Sequence, residues 1–140
     1  MRSAIKVRGY HLDVYQHVNN ARYLEFLEEA RWQWLEEVNA FNWLVTQKLA
    51  FVVVNININY RRPAVLGDVL EIESELTQLN GKSGILAQRV LLAGHETVIA
   101  DAALTFVCVD LHSQKAVPLN GVNTDRILTH PAKVKLTHPL

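Results

Sequence analysis

The chain has one cysteine, Cys108, among 140 residues, which excludes an internal disulfide and makes a reducing cytoplasm the expected setting. The same shortage removes cysteine-based zinc sites. Cys108 itself lies in LTFVCVDL, an alternating, strand-like stretch in which packing is a sufficient role. The six histidines stand singly, without ligand-like spacing, and the glycines form no phosphate-loop or dinucleotide-binding pattern. Charge of neither sign is in excess: 14 Lys and Arg balance 14 Asp and Glu, so a nucleic acid partner, which requires a basic face, is not expected. No apolar run is long enough to span a bilayer, and MRSAIKVRGY lacks the apolar stretch of a signal peptide, so no membrane insertion is expected.

What is present is apolar and patterned, with 49% hydrophobic residues, enough for a sizeable core in one domain. That domain is expected over residues 1–125. A loosely held tail follows over 126–140, where Pro131 and Pro139 oppose regular structure. The domain is small for an enzyme that must also enclose a substrate, so an interface shared between copies would help.

AIKVRGYHL alternates like a first strand, and a loop follows from Asp13 to about Val18. From Asn20 the period becomes helical: Tyr23, Leu27, Ala30 and Trp34 recur at steps of three and four, with glutamates on the opposite side. This predicts a helix of about five turns, capped by Asn19 or Asn20. NAFNWLVTQKL is ambiguous between a loop and a short second helix. AFVVVNININYRRP is the clearest strand, with Asn55, Asn57 and Asn59 facing one way and Ile56, Ile58 and Tyr60 the other. VLEIESELTQL, ILAQRVLLA and TVIADAALTFVCVDL read as further strands, with NGKSG a hairpin turn at Asn80 and Gly81. A weak last strand covers Lys115 to Leu119. The order predicts a two-layer α+β fold in which one long helix lies on a curved antiparallel sheet.

The stretch HLDVYQHVNNARYLEF concentrates polarity at the helix entrance. Capping and loop hydrogen bonds account for each residue taken singly. Together they also suit chemistry: a helix entrance offers unpaired N–H groups and a positive dipole end to a carbonyl oxygen gaining negative charge. An Asp a few residues upstream can attack the carbonyl carbon or deprotonate a water.

The segment DVYQHVNNARYLEFLEEAR, followed by the long strand and RRPAVLGD, resembles the hotdog-fold acyl-CoA thioesterases of the 4-hydroxybenzoyl-CoA thioesterase type, and among them the bacterial long-chain acyl-CoA thioesterases linked to fatty acid degradation. The resemblance covers roughly residues 4 to 120. It implies a hotdog fold, a curved antiparallel sheet wrapped around one long central helix. It also implies a homodimer whose sheets join edge to edge, with a dimer of dimers a common outcome, and hydrolysis of long-chain acyl-CoA to free fatty acid and CoA. No metal or separate cofactor is implied, since coenzyme A is part of the substrate.

Carried over residue by residue, the resemblance makes Asp13 the catalytic carboxylate, as base or nucleophile. It makes the backbone N–H of Asn20 the group that polarises the thioester carbonyl. His17 and Asn19 match positions that shape the site, and Tyr23 matches an aromatic of the first helical turn. Gln16 stands where many relatives carry Gly. Some branches of the fold place their acid on the helix, which admits Glu25, Glu28 and Glu29 as weaker candidates. The phosphates of coenzyme A would meet Arg61, Arg62 or Lys82. Phe26, Trp32, Trp34, Phe41, Trp43 and Phe51 are available to an acyl pocket, and residues 39–49 are the expected place for those that set chain length.

Three alternatives stay open: a hydrolase of short-chain, aromatic or acyl-protein thioesters, a hydratase or dehydratase of acyl thioesters, and a non-catalytic acyl-thioester-binding module.

Overall fold

The computed structural model describes residues 5–119 and, as backbone, Lys133–Leu136. The first strand, β1 (Ile5–Lys6), is much shorter than its alternation suggests, because the chain turns at Gly9–His11 into a single 3-10 turn. Helix α1 spans Asn20–Glu37, the five turns expected. It stops where Asn39 enters the left-handed region at φ 54° and donates its N–H to the Glu36 carbonyl. A second helix, α2 (Ala40–Gln47), follows at once.

The strands are β2 (Leu49–Tyr60), β3 (Val69–Asn80), β4 (Ser83–Leu92), β5 (Val98–Asp110), β6 (Lys115–Val117) and β7 (Lys133–Leu136). The antiparallel order is β1-β3-β4-β5-β2, with β6 beside β5 and β7 beside β3. The β3–β4 hairpin closes through Gly81 and Lys82 rather than Asn80, which still pairs with Ser83. Gly81 takes φ 68° there, as the first position of such a two-residue turn requires.

Two features correct the expected picture of a curved sheet wrapped around one long helix. The sheet is open, since β2 at one edge and β1 with β7 at the other do not pair. The helical layer holds two helices: α1 packs against β3, α2 against β2, and the helices against each other. The arrangement is α+β and hotdog-like, but neither closed nor built on a single helix. The physical reason lies in AFNWLVTQ, whose apolar residues bury Ala40 and Leu44 and give α2 a core of its own beside Phe51 and Leu49.

The apolar stripe of α1 faces the sheet, with Leu27 and Ala30 against a core that includes Leu70, Ile72, Val90 and Leu104. Burying each such Leu or Ile contributes about 2 kcal/mol. The segment expected to be a loose tail lies outside the described residues apart from β7. No described helix is long and apolar enough to cross a membrane.

Candidate active site

The loop before α1 is closed on itself. Leu12 and Val18 form an isolated antiparallel bridge, and the Asp13 N–H donates to the His17 carbonyl at 2.9 Å. The Val18 N–H donates to the Ala64 carbonyl and the Asn19 N–H to the His11 carbonyl, so both ends of the loop are pinned. At its tip Gln16 sits at φ 65°. The left-handed region costs a non-glycine residue about 1 kcal/mol, a strain that a Gly at this position would not carry.

Asn19, not Asn20, caps α1: its Oδ1 accepts from the Ala21 N–H at 3.0 Å. The Arg22 N–H is satisfied by the Asn19 carbonyl, whereas the N–H of Asn20 has no acceptor among the described residues. An unpaired amide at a positive helix end is what an oxyanion requires. The Asn20 carbonyl accepts from Tyr60 Oη at 3.1 Å, which ties this end of α1 to the end of β2.

Asp13 is half-buried on the same loop, and one carboxylate oxygen accepts from the Tyr15 N–H at 2.8 Å. Its other oxygen has no partner among the described residues and is available to a proton or a carbonyl carbon. The His17 side chain is exposed and contacts none of the described polar groups. Tyr23 is buried, its ring against Phe26 and Tyr60, and burial pushes its phenol above its usual range. It is a wall of the core. Glu25, Glu28 and Glu29 are exposed on α1, with Glu25 paired to Arg22 at 2.9 Å.

One residue of the entrance escapes the sequence. His11 is buried between Tyr10 and Phe26, and its Nδ1 accepts from the Arg8 N–H at 2.9 Å. An accepting Nδ1 carries no proton, and burial together with Arg22 holds the imidazole below its ordinary pKa of 6.5. His11 is thus a neutral support under the loop. Its role depends on the turn at Arg8, which leaves no pattern in the sequence.

Arg61 and Arg62 lie at the same end of the sheet, lining a shallow cleft with His95 and Thr97 from the turn between β4 and β5. Arg61 is bound by Asp101, with Nε donating to Oδ2 at 2.7 Å, and that contact holds the Asp101 carboxyl below its usual range. Arg62 has no side-chain partner among the described residues. Lys82, in the β3–β4 hairpin, is at the opposite end of the sheet, so the three cations do not form one site.

Beyond the middle of α1 a cavity of about 720 Å³ opens between α1, α2, β2 and β5. Of the aromatics singled out in the sequence, Trp32, Trp34, Phe41 and Phe51 line it, while Phe26 belongs to the core and Trp43 is not on the wall. Leu44 and Val45 of α2 and Lys48 at its C-terminal cap close one side, within the segment expected to set chain length. Phe106 reaches the cavity by lying across Gly84, where a Cβ would come within 2.6 Å of its ring. No described group of three or more His, Cys, Asp or Glu is arranged to hold a metal.

Residues 7–127 match the family model described as the thioesterase-like superfamily. The chain belongs to this superfamily. Among curated members, Long-chain acyl-CoA thioesterase FadM of Escherichia coli (strain K12) is 67% identical over 121 residues, covering 86% of this chain and 92% of that protein. Acyl-CoA thioester hydrolase YbgC of Escherichia coli O6:H1 is 36% identical over 94 residues, covering 66% of this chain and 69% of that protein. The crystal structure of YbaW, a probable thioesterase from Escherichia coli, superposes with a TM-score of 0.86 at 62% identity, covering 94% of this chain and 98% of that one. A 1,4-dihydroxy-2-naphthoyl-CoA thioesterase from Synechocystis shares the fold, with a TM-score of 0.78 at 24% identity over 91% of this chain and 96% of that one. Membership of the thioesterase-like superfamily agrees with the resemblance carried by the helix-entrance motif.

Proposed function

We propose that the protein hydrolyses long-chain fatty acyl-CoA thioesters to free fatty acid and coenzyme A. The observation that carries the chemistry is the unpaired N–H of Asn20 at the entrance of α1, on the same closed loop that holds Asp13. The 67% identity to a long-chain acyl-CoA thioesterase and the largely apolar cavity beside α1 support the substrate class.

The thioester oxygen accepts from the Asn20 N–H, and the positive end of α1 favours the charge that develops there. Asp13 either takes a proton from the attacking water or attacks the carbonyl carbon itself to form an anhydride that water then opens. In both routes the C–S bond breaks, the thiol of coenzyme A leaves with a proton, and the carboxylic acid remains. Asn19 holds the Asn20 amide in place, His17 shapes the mouth, and Tyr23 is the wall behind it. The phosphates of the nucleotide lie in the cleft with Arg61 and Arg62, at the same end of the sheet as the entrance. Lys82, at the other end, is left out of this reading.

The working unit in this reading is at least a dimer seamed along β2. That strand is a twelve-residue edge with Val52, Val54, Asn55, Asn57 and Asn59 exposed, a surface that a monomer leaves open to unwanted pairing.

Free-thiol release from a panel of acyl-CoAs, from short to long and including an aromatic one, tests the reading beside Asp13→Ala. Turnover highest on long chains and reduced about a hundredfold or more in the folded variant is expected. Full turnover in Asp13→Ala would sink the mechanism, and activity confined to short or aromatic thioesters would sink the substrate class.

A further inference from the structure

The cavity beside α1 is not wholly apolar. Arg31, half-buried on α1, lines it among Trp32, Trp34, Phe41 and Phe51. Its Nη1 donates to Gln88 Oε1 at 3.1 Å, from below the helix. Gln88, fully buried on β4, cannot turn its amide over: Nε2 donates to the Leu27 carbonyl at 3.1 Å and to Ser74 Oγ at 2.9 Å, which leaves Oε1 for Arg31. Gln88 therefore positions the guanidinium on the cavity wall.

A guanidinium has five N–H donors, and the described residues offer Arg31 one acceptor. Glu28, one turn earlier on the same wall, acts on it through space without forming an ion pair. Trp34 lines the cavity as well, with its indole Nε1 turned out of solvent reach. A ligand made only of methylenes leaves the remaining guanidinium donors unpaired, which buried polar groups tolerate poorly. A chain carrying an oxygen acceptor at this depth satisfies them.

The depth follows from the helix. Asn20 and Arg31 are separated by about 16 Å along α1, at roughly 1.5 Å per residue. An extended alkyl chain of C–C bonds about 1.5 Å long advances about 1.3 Å per carbon. A chain whose carbonyl meets the Asn20 N–H and that follows α1 brings roughly its twelfth or thirteenth carbon to Arg31.

We propose that Arg31, positioned by Gln88, forms a polar subsite that selects long acyl thioesters bearing a hydroxyl or keto oxygen about a dozen carbons from the thioester. The placement of the carbonyl rests on the thioesterase reading above; the donors on the wall do not.

Non-hydrolysable octadecyl thioethers of coenzyme A test the subsite without turnover. One is unsubstituted, one carries a hydroxyl on the twelfth carbon and one on the third, and Trp32 and Trp34 report binding by their fluorescence. The twelfth-carbon hydroxyl is expected to tighten binding about tenfold over the plain chain and the third-carbon hydroxyl to give no gain. Arg31→Met removes the gain, and Arg31→Lys, which keeps a charged donor, retains part of it. Equal binding of the plain and twelfth-carbon compounds, a gain that survives Arg31→Met, or no binding of any thioether overturns the proposal. Thiol release from plain octadecanoyl-CoA, measured alongside, reports separately on the thioesterase reading: its absence overturns that reading while the thioether ranking still decides the subsite.

Discussion

At the scale of single residues, the entrance loop rests on a histidine that must stay neutral. Protonation of His11 would put a hydrogen on the Nδ1 that accepts from the Arg8 N–H, in a buried setting where Arg22 and Arg8 oppose positive charge and Glu25 only partly offsets them. The folded pKa lies below the ordinary 6.5, so below that pH the unfolded chain binds the proton more readily and stability falls with pH. Denaturant titrations at about pH 7.5 and about pH 5.5 are expected to show this loss, and His11→Asn, which keeps an acceptor but does not titrate, to reduce it. An unaltered pH dependence in the variant would assign the loss to other groups. Asp13, Asn19 and Asn20 could be singled out in the sequence because the polar entrance they share is built from neighbours a few positions apart, and the structure sets all three on the loop and first turn of α1. His11, Gln88 and Arg31 could not be, since each acquires its role from a partner or a burial that only the folded chain supplies.

At the scale of elements, α1 was legible because its apolar period and its polar entrance agree on the same start. Asn19 serves two ends there, satisfying Ala21 and leaving the amide of Asn20 without an acceptor among the described residues. Asn19→Ala is expected to lower stability by about 1 kcal/mol, a shift of a few degrees in Tm, and to reduce kcat on long-chain acyl-CoA beyond what that loss explains at a temperature where the variant stays folded. Unchanged kcat would separate the cap from the chemistry. The strands were legible in existence but not in detail. In β2 the half-buried residues are Phe51 and Val53, then Ile56 and Ile58, and the change of phase is absorbed by an irregularity between Val53 and Asn55. Alternation read from either half alone predicts the wrong face for the other. The second helix was ambiguous because eight residues are too few for a period to declare itself, and its presence replaces the single-helix picture.

At the scale of the whole molecule, the open sheet separates two ends. One holds the α1 entrance with Arg61 and Arg62; the other holds the cavity under α2. The long edge strand β2 runs between them, from Leu49 on the cavity wall to Tyr60 at the entrance. An isologous seam along it would join two entrances and two cavities into one continuous groove, and it would cover the exposed valines at mid-strand. A two-fold axis centred on β2 sets Val54 and Asn55 near their own copies, so a charge placed at either position meets the same charge across the seam. Sedimentation equilibrium is expected to give a species of at least twice the 15.9 kDa chain mass for the wild type. The double variant Val54→Glu, Asn55→Glu should shift it toward single chains while circular dichroism reports an intact fold. A wild type that sediments as a single chain would remove the seam and require each active site to be complete within one subunit, whereas an assembly that survives the double variant would move the interface to another face.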